Sequence, residues 1–223
     1  MRRGASTAGL ISLAVALVLL TILVAGGSAD DLDARLLPAI ATWIRGHDGL
    51  MRIMYCATTV GDSSVRFTIA GVAALLLLVV RQRRRAFFLL IAMPGAWLTS
   101  SIFKLIVERP RPSLLPRLDV VTTHSYPSGH AWSGMVLCLA LALVLRPAVP
   151  SRFRLPLLGV ALFGAFLIGV SRLALAVHWP SDVLAGWIGG ALWVAICARW
   201  LSPSLLALDN PASKREPLRQ QGE

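Results

Sequence analysis

The chain has 223 residues, of which 56% are hydrophobic and 15% charged, with a formal net charge of +11. So apolar a composition excludes an ordinary soluble domain and makes membrane topology the first question. The basic residues fall in short clusters between apolar runs, which excludes a hydrophilic nucleic-acid-binding domain and points to anionic lipid headgroups as partners.

In chain order, Gly4–Ala29 carries no charge, follows Arg2 and Arg3, and reads as a first spanning helix. Gly27-Ser28-Ala29 also resembles a signal cleavage site, but the apolar stretch exceeds the ~7–15 residues of a signal core. Residues 30–63 alternate charged with apolar residues, as short amphipathic helices on a membrane surface would. Further uncharged runs are Phe67–Val80, Ala86–Phe103, Ala131–Leu145, Leu155–Ser171 and Val183–Ala198. Most are short for a span. Each reaches the ~20 residues required once its polar flank joins the helix, which puts Arg66, Lys104, His130, Arg172 and Asp182 at helix ends. The expected fold is therefore all-α, a polytopic bundle of six spans over residues 1–201 with short extracytoplasmic helices. Residues 202–223, rich in Pro, Ser, Lys, Arg and Gln, read as a disordered tail. Cys56, Cys138 and Cys197 form no CxxC pair and read as small core residues.

Six spans place both termini on one side. The arginines at 81, 83, 84, 85, 146, 152, 154 and 199 fall on that side too, which the positive-inside rule makes cytoplasmic. All four histidines then lie at the outer face of a cell membrane.

Three outward segments concentrate the chemistry: Lys104 with Arg111-Pro112; Pro127-Ser128-Gly129-His130; and Ser171-Arg172 with His178 and Asp182. Each has a plain alternative: a snorkelling lysine, a rigid Arg-Pro loop, a helix cap, an interfacial histidine. Together they supply cations, a helix N-terminus open to an anion, two histidines and a carboxylate four residues beyond one of them. Phosphoryl transfer without a metal needs these groups, because it is governed by positioning and by neutralising oxygen charge.

The pattern Lys104-LIVERP-Arg111-Pro112, Pro127-Ser128-Gly129-His130 and Ser171-Arg172-LALAV-His178-WPS-Asp182 resembles the signature of the type 2 phosphatidic acid phosphatases, at every fixed position. That family shares its site with vanadium haloperoxidases. The resemblance implies that His178 attacks phosphorus and Asp182 orients it. It implies that His130 serves as acid and then base, and that Lys104, Arg111, Ser128, Gly129 and Arg172 bind phosphate oxygens. Pro112, Pro127 and Ser171 complete the signature, and no metal or other cofactor is implied. Arg109 and Glu108 are expected to meet substrate or each other, His124 to line a loop or a second phosphate, and Tyr126 to pack.

The expected activity is hydrolysis of a membrane lipid phosphate or diphosphate: polyprenyl diphosphate, phosphatidic acid or phosphatidylglycerol phosphate. A phosphotransferase using the same phosphohistidine, and a non-catalytic protein binding lipid phosphate or a metal through His130, His178 and Asp182, are the rivals.

Overall fold

A computed structural model describes residues 7–201; the expectations for Arg2, Arg3 and the 202–223 tail lie outside the described residues. Its elements are α1 (Thr7–Ala25), α2 (Asp30–Arg45), α3 (Asp48–Gly61), α4 (Ser63–Val79), α5 (Arg83–Val107), α6 (Gly129–Leu145), α7 (Arg154–Ala174) and α8 (Pro180–Leu201), with two short 3-10 turns before α7. The helices α1, α5, α6, α7 and α8 are long and apolar enough to cross a membrane; α3 and α4, joined at a 62° bend, add a sixth if counted as one broken span. The chain is an all-α, multi-pass membrane protein.

The helix ends fall where the short runs needed polar extension. α5 runs on through Lys104, α6 starts one residue before His130, α7 takes in Arg172, and α8 opens at Pro180 and takes in Asp182. Residues 30–61 are largely helical as expected, and α3 meets α4 at a 62° bend at Asp62. Cys56 departs from the core expectation: α3 buries the stripe of Met54 and Ala57 and turns Cys56 outward.

In lipid there is no hydrophobic drive between helices, so close contact of small residues matters. α6 lies at the centre, packed on α5, α7 and α8. Ala131, Val136 and Ala140 are wholly buried there. A Cβ on Gly186 of α8 would sit 2.7 Å from Ala131 Cβ and 2.8 Å from the Ser128 carbonyl oxygen, so only glycine permits this approach. Ile22 of α1, Leu75 and Val79 of α4 and Val160 of α7 point outward, as a lipid-facing surface requires.

Because successive spans reverse direction, the ends of α5 and α7 and the starts of α6 and α8 share one end of the bundle. The irregular segment between α5 and α6 folds over that end. Arg45 donates to the Pro116 carbonyl at 3.0 Å, Leu118 N–H to the Leu175 carbonyl at 3.0 Å, and Arg172 pairs with Asp119 at 2.7 Å.

Candidate active site

His178 sits on the turn between α7 and α8, and Asp182 in the first turn of α8, so the four-residue separation brings carboxylate and ring together. His178 Nδ1 lies 3.4 Å from Asp182 Oδ2, and the Ser125 hydroxyl donates to that same oxygen at 2.5 Å. The Trp179 backbone N–H donates to it as well, at 2.9 Å. The other ring nitrogen, Nε2, lies 3.2 Å from Arg111 Nη1. Arg111 can only donate, so Nε2 presents its lone pair and the ring proton belongs on Nδ1, facing Asp182. Burial first, then the charges of Arg111, Lys104 and Arg172, hold the His178 pKa well below its ordinary value. The imidazole is neutral near pH 7.

Asp182 is completely buried, and its charge is answered by Arg109, whose Nη1 donates to Oδ1 at 2.9 Å. Arg109 Nη2 reaches Asp30 at 2.6 Å and Asp33 at 2.8 Å. Asp33 in turn accepts from the Ser181 backbone N–H at 2.9 Å and from its hydroxyl. Burial alone would drive the Arg109 guanidinium down, but Asp182, Asp33 and Asp30 together hold it above its ordinary value. Arg109 therefore turns to these three carboxylates and not to Glu108. Glu108 closes α5 in the left-handed conformation (φ 47°), which carries the chain away from the helix axis and lets the next residue turn inward.

The cations gather around His178 but are not loose. Lys104 does not snorkel outward; its Nζ donates to the His124 carbonyl at 2.6 Å. Arg111 donates from Nε to the Thr123 carbonyl at 2.7 Å and from Nη1 to the Val177 carbonyl at 2.6 Å. Burial and the neighbouring Arg172 push Arg111 down to about 10, still protonated at neutral pH. Arg172 is 1% exposed; Nη1 donates to Thr58 and Nη2 to Asp119, while Nε has no partner among the described residues.

His130, in the first turn of α6, faces the joint between α3 and α4: its Nε2 lies 3.0 Å from Asp62 Oδ1. A Cβ on Gly61 would come within 2.6 Å of the ring, so glycine there admits the histidine. Ser128 caps α6, its hydroxyl accepting from Ala131 N–H at 3.4 Å, and its own N–H donates to the Asp182 carbonyl at 3.0 Å. Gly129 lies next to Lys104, whose Cε would stand 4.0 Å from a Cβ placed there.

Of the supporting positions, Pro112 and Pro127 are buried, and Ser171 braces its helix through the Ile168 carbonyl at 2.7 Å. Tyr126 packs with no exposure and shares a 2.7 Å hydrogen bond with Thr21 of α1. Trp179 reaches the Pro110 carbonyl at 3.0 Å. His124 lines a polar pocket of about 210 Å³ with Arg109, Arg111 and Arg117. Among the described residues no three His, Cys, Asp or Glu side chains converge as a metal ion would need.

Sequence reasoning assigned no role to Asp30, Asp33, Asp62, Ser125 or Ser181. The available signal was the set of carboxylates following the first span of an otherwise apolar chain.

The family model of the PAP2 superfamily matches residues 85–205, more than half of the chain. The chain belongs to the PAP2 superfamily. An undecaprenyl-diphosphatase of Sulfolobus acidocaldarius is 40% identical over 74 residues, 33% of this chain and 32% of that protein. Phosphatidylglycerophosphatase B of Bacillus subtilis is 32% identical over 97 residues, 43% of this chain and 47% of that protein. The chain thus matches less than half the length of either. Among solved structures, a transmembrane PAP2 type phosphatidylglycerolphosphate phosphatase from Bacillus subtilis superposes with a TM-score of 0.79 at 24% identity, over 85% of this chain and 94% of that one. LpxE of Aquifex aeolicus gives 0.59 at 22% identity, over 74% and 94%. At these identities the likeness speaks for the fold.

Proposed function

We propose that this PAP2 protein hydrolyses a phosphate or diphosphate group on a membrane lipid, through a phosphohistidine at His178, at the extracytoplasmic face. One observation carries the reading: a neutral, buried His178 offers Nε2 toward Arg111 while Asp182 and Ser125 hold the Nδ1 side. Attack by Nε2 forms an N–P bond as the P–O bond to the lipid breaks, and the oxygen leaves with the electron pair. Asp182 stabilises the positive charge that develops on the ring. Lys104, Arg111, Arg172, Ser128 and the Gly129 amide neutralise the phosphoryl oxygens, and His130 protonates the leaving oxygen. His130 then takes a proton from water, whose oxygen attacks phosphorus and frees His178.

The relatives named for undecaprenyl diphosphate and phosphatidylglycerophosphate supply two substrate classes to test. An apolar groove of about 660 Å³, lined by Ile40, Met54, Val170, Leu173, Val183 and Trp187, suits the hydrocarbon chain. Leu173 and Val183 follow Arg172 and Asp182 in the chain, so the groove is lined by the same two helices that carry those residues. The arginines at the opposite helix ends, at 83 to 85, 154 and 199, support an outward-facing site.

The test is phosphate release from lipid phosphates and diphosphates by detergent-solubilised protein, with and without orthovanadate. His178→Ala is expected to abolish both release and phosphoenzyme, and vanadate to inhibit the wild type. Undiminished turnover by His178→Ala overturns the reading.

A further inference from the structure

Besides Arg109 and Arg172, one further buried cation lies near the site, and it belongs to no part of the signature. Arg66, in the first turn of α4, is 3% exposed, yet among the described residues its Nε and Nη1 have no hydrogen-bond partner; only Nη2 is engaged, by Ser63 at 3.1 Å. A buried guanidinium with two idle nitrogens is costly, and within a membrane-embedded bundle such a residue marks a ligand path. Its place follows from the joint it extends: Asp62, one turn earlier, contacts His130, and the charge of Arg66 bears on both His130 and Arg172. Arg172 also has an idle nitrogen, so two guanidinium groups have unsatisfied donors on the His130 side.

In-line displacement fixes what belongs there. The attacking nitrogen of His178 and the leaving oxygen stand on opposite sides of phosphorus. His130, as the proton donor, marks the leaving side. With a simple lipid monophosphate the leaving group is a neutral alcohol after protonation, and a cation beside it has nothing to bind. With a lipid diphosphate the leaving group is a lipid-bound phosphate that gathers negative charge as the bridging P–O bond breaks.

Resting on the phosphatase reading above, we propose that Arg66 binds the lipid-proximal phosphate of a diphosphate substrate and stabilises it as leaving group, which makes lipid diphosphates the preferred substrate class. The N–P bond forms at His178, the bridging bond breaks, and its electron pair goes to the departing lipid monophosphate, which Arg66 neutralises. Water later releases inorganic phosphate from His178. Arg66 is then a specificity-determining residue that leaves phosphoenzyme chemistry to the signature groups.

The experiment compares farnesyl diphosphate with farnesyl monophosphate, one chain and two headgroups, for wild type, Arg66→Gln, Arg66→Lys, His124→Ala and His178→Ala. Arg66→Gln is expected to lose about 10- to 100-fold in kcat/KM on the diphosphate, the range of one charge-assisted contact, and to stay within about threefold on the monophosphate. Arg66→Lys, keeping the charge, recovers part of the loss. His124→Ala, on the rival polar pocket, leaves the ratio of the two substrates unchanged. Equal losses on both substrates by Arg66→Gln, no loss on either, or a selective diphosphate loss by His124→Ala instead would overturn the assignment. If Arg66→Gln does not accumulate folded, Arg66→Lys decides: an unaltered substrate ratio counts against the proposal and a lowered one for it. His178→Ala separates the two claims, because its inactivity upholds the phosphatase reading whatever Arg66 does.

Discussion

Arg109 and Asp182 form a wholly interior ion pair at 2.9 Å, and the same guanidinium holds Asp33 of α2. The carboxylate that orients the proposed nucleophile is thus anchored to a helix outside the family match. Breaking a buried pair from one side strands the other charge, which costs about 3–5 kcal/mol. Arg109→Ala is expected to lower the thermal unfolding midpoint in detergent sharply, with Asp33→Ala intermediate. An unchanged midpoint in Arg109→Ala would show that the network carries no stability.

Asp182→Asn keeps the shape but removes the charge opposite His178 and disturbs the tautomer. By analogy with carboxylate-oriented histidines elsewhere, kcat is expected to fall by about 10⁴. Burst-phase phosphoenzyme measurement places the loss in the first step. Ser125→Ala deletes only the hydroxyl bonded to Asp182, and a smaller fall of about 10-fold is expected, near the 1–3 kcal/mol of a lost buried hydrogen bond.

The neutral His178 has a consequence for stability against pH. Its native pKa is depressed by burial and nearby cations, whereas an unfolded histidine titrates near about 6.5. Below that pH the unfolded chain binds a proton that the native one refuses, so unfolding gains protons and stability falls as pH falls. The wild-type melting midpoint is expected to drop from pH 7 to pH 5 more steeply than that of His178→Asn. Parallel curves would place the pH sensitivity elsewhere.

Asp62 contacts His130 at 3.0 Å, and with His130 as the proposed proton donor its effect is expected to depend on the leaving group. Asp62→Asn is expected to slow alkyl phosphates, which need a proton, by about 10-fold or more, and p-nitrophenyl phosphate little. A uniform loss on both would make Asp62 merely structural.

The groove beside the site predicts chain-length selectivity. Val170→Trp, which fills it, is expected to raise KM for long-chain lipid phosphates several-fold while sparing short water-soluble ones. An equal effect on both would remove the groove from the substrate path.

The spans were legible because bilayer thickness imposes length on apolar runs, and the polar ends of those runs named Lys104, His130, Arg172 and Asp182 as neighbours. The signature brought Arg111 and His178 with them. What stayed hidden came from elements without a spaced pattern. Asp33 and Asp62 look like solubilising charges in a polar stretch, and only the fold turns one toward Ser181 and the other toward His130. Arg109 illustrates the same limit: beside Glu108 in sequence, it is carried to Asp182 by a left-handed residue that no pattern announces. The bend at Gly61-Asp62 was hidden for a related reason, since the histidine that requires it lies far along the chain.

The joint between α3 and α4 has one more consequence. The family match begins at residue 85, whereas Asp30, Asp33, Asp62 and Arg66 all precede it. The supports of two signature residues, Asp33 behind Arg109 and Asp182 and Asp62 behind His130, therefore come from a stretch of chain that the family model does not describe, so a change within residues 30–66 reaches the carboxylate and the histidine that the matched segment contributes.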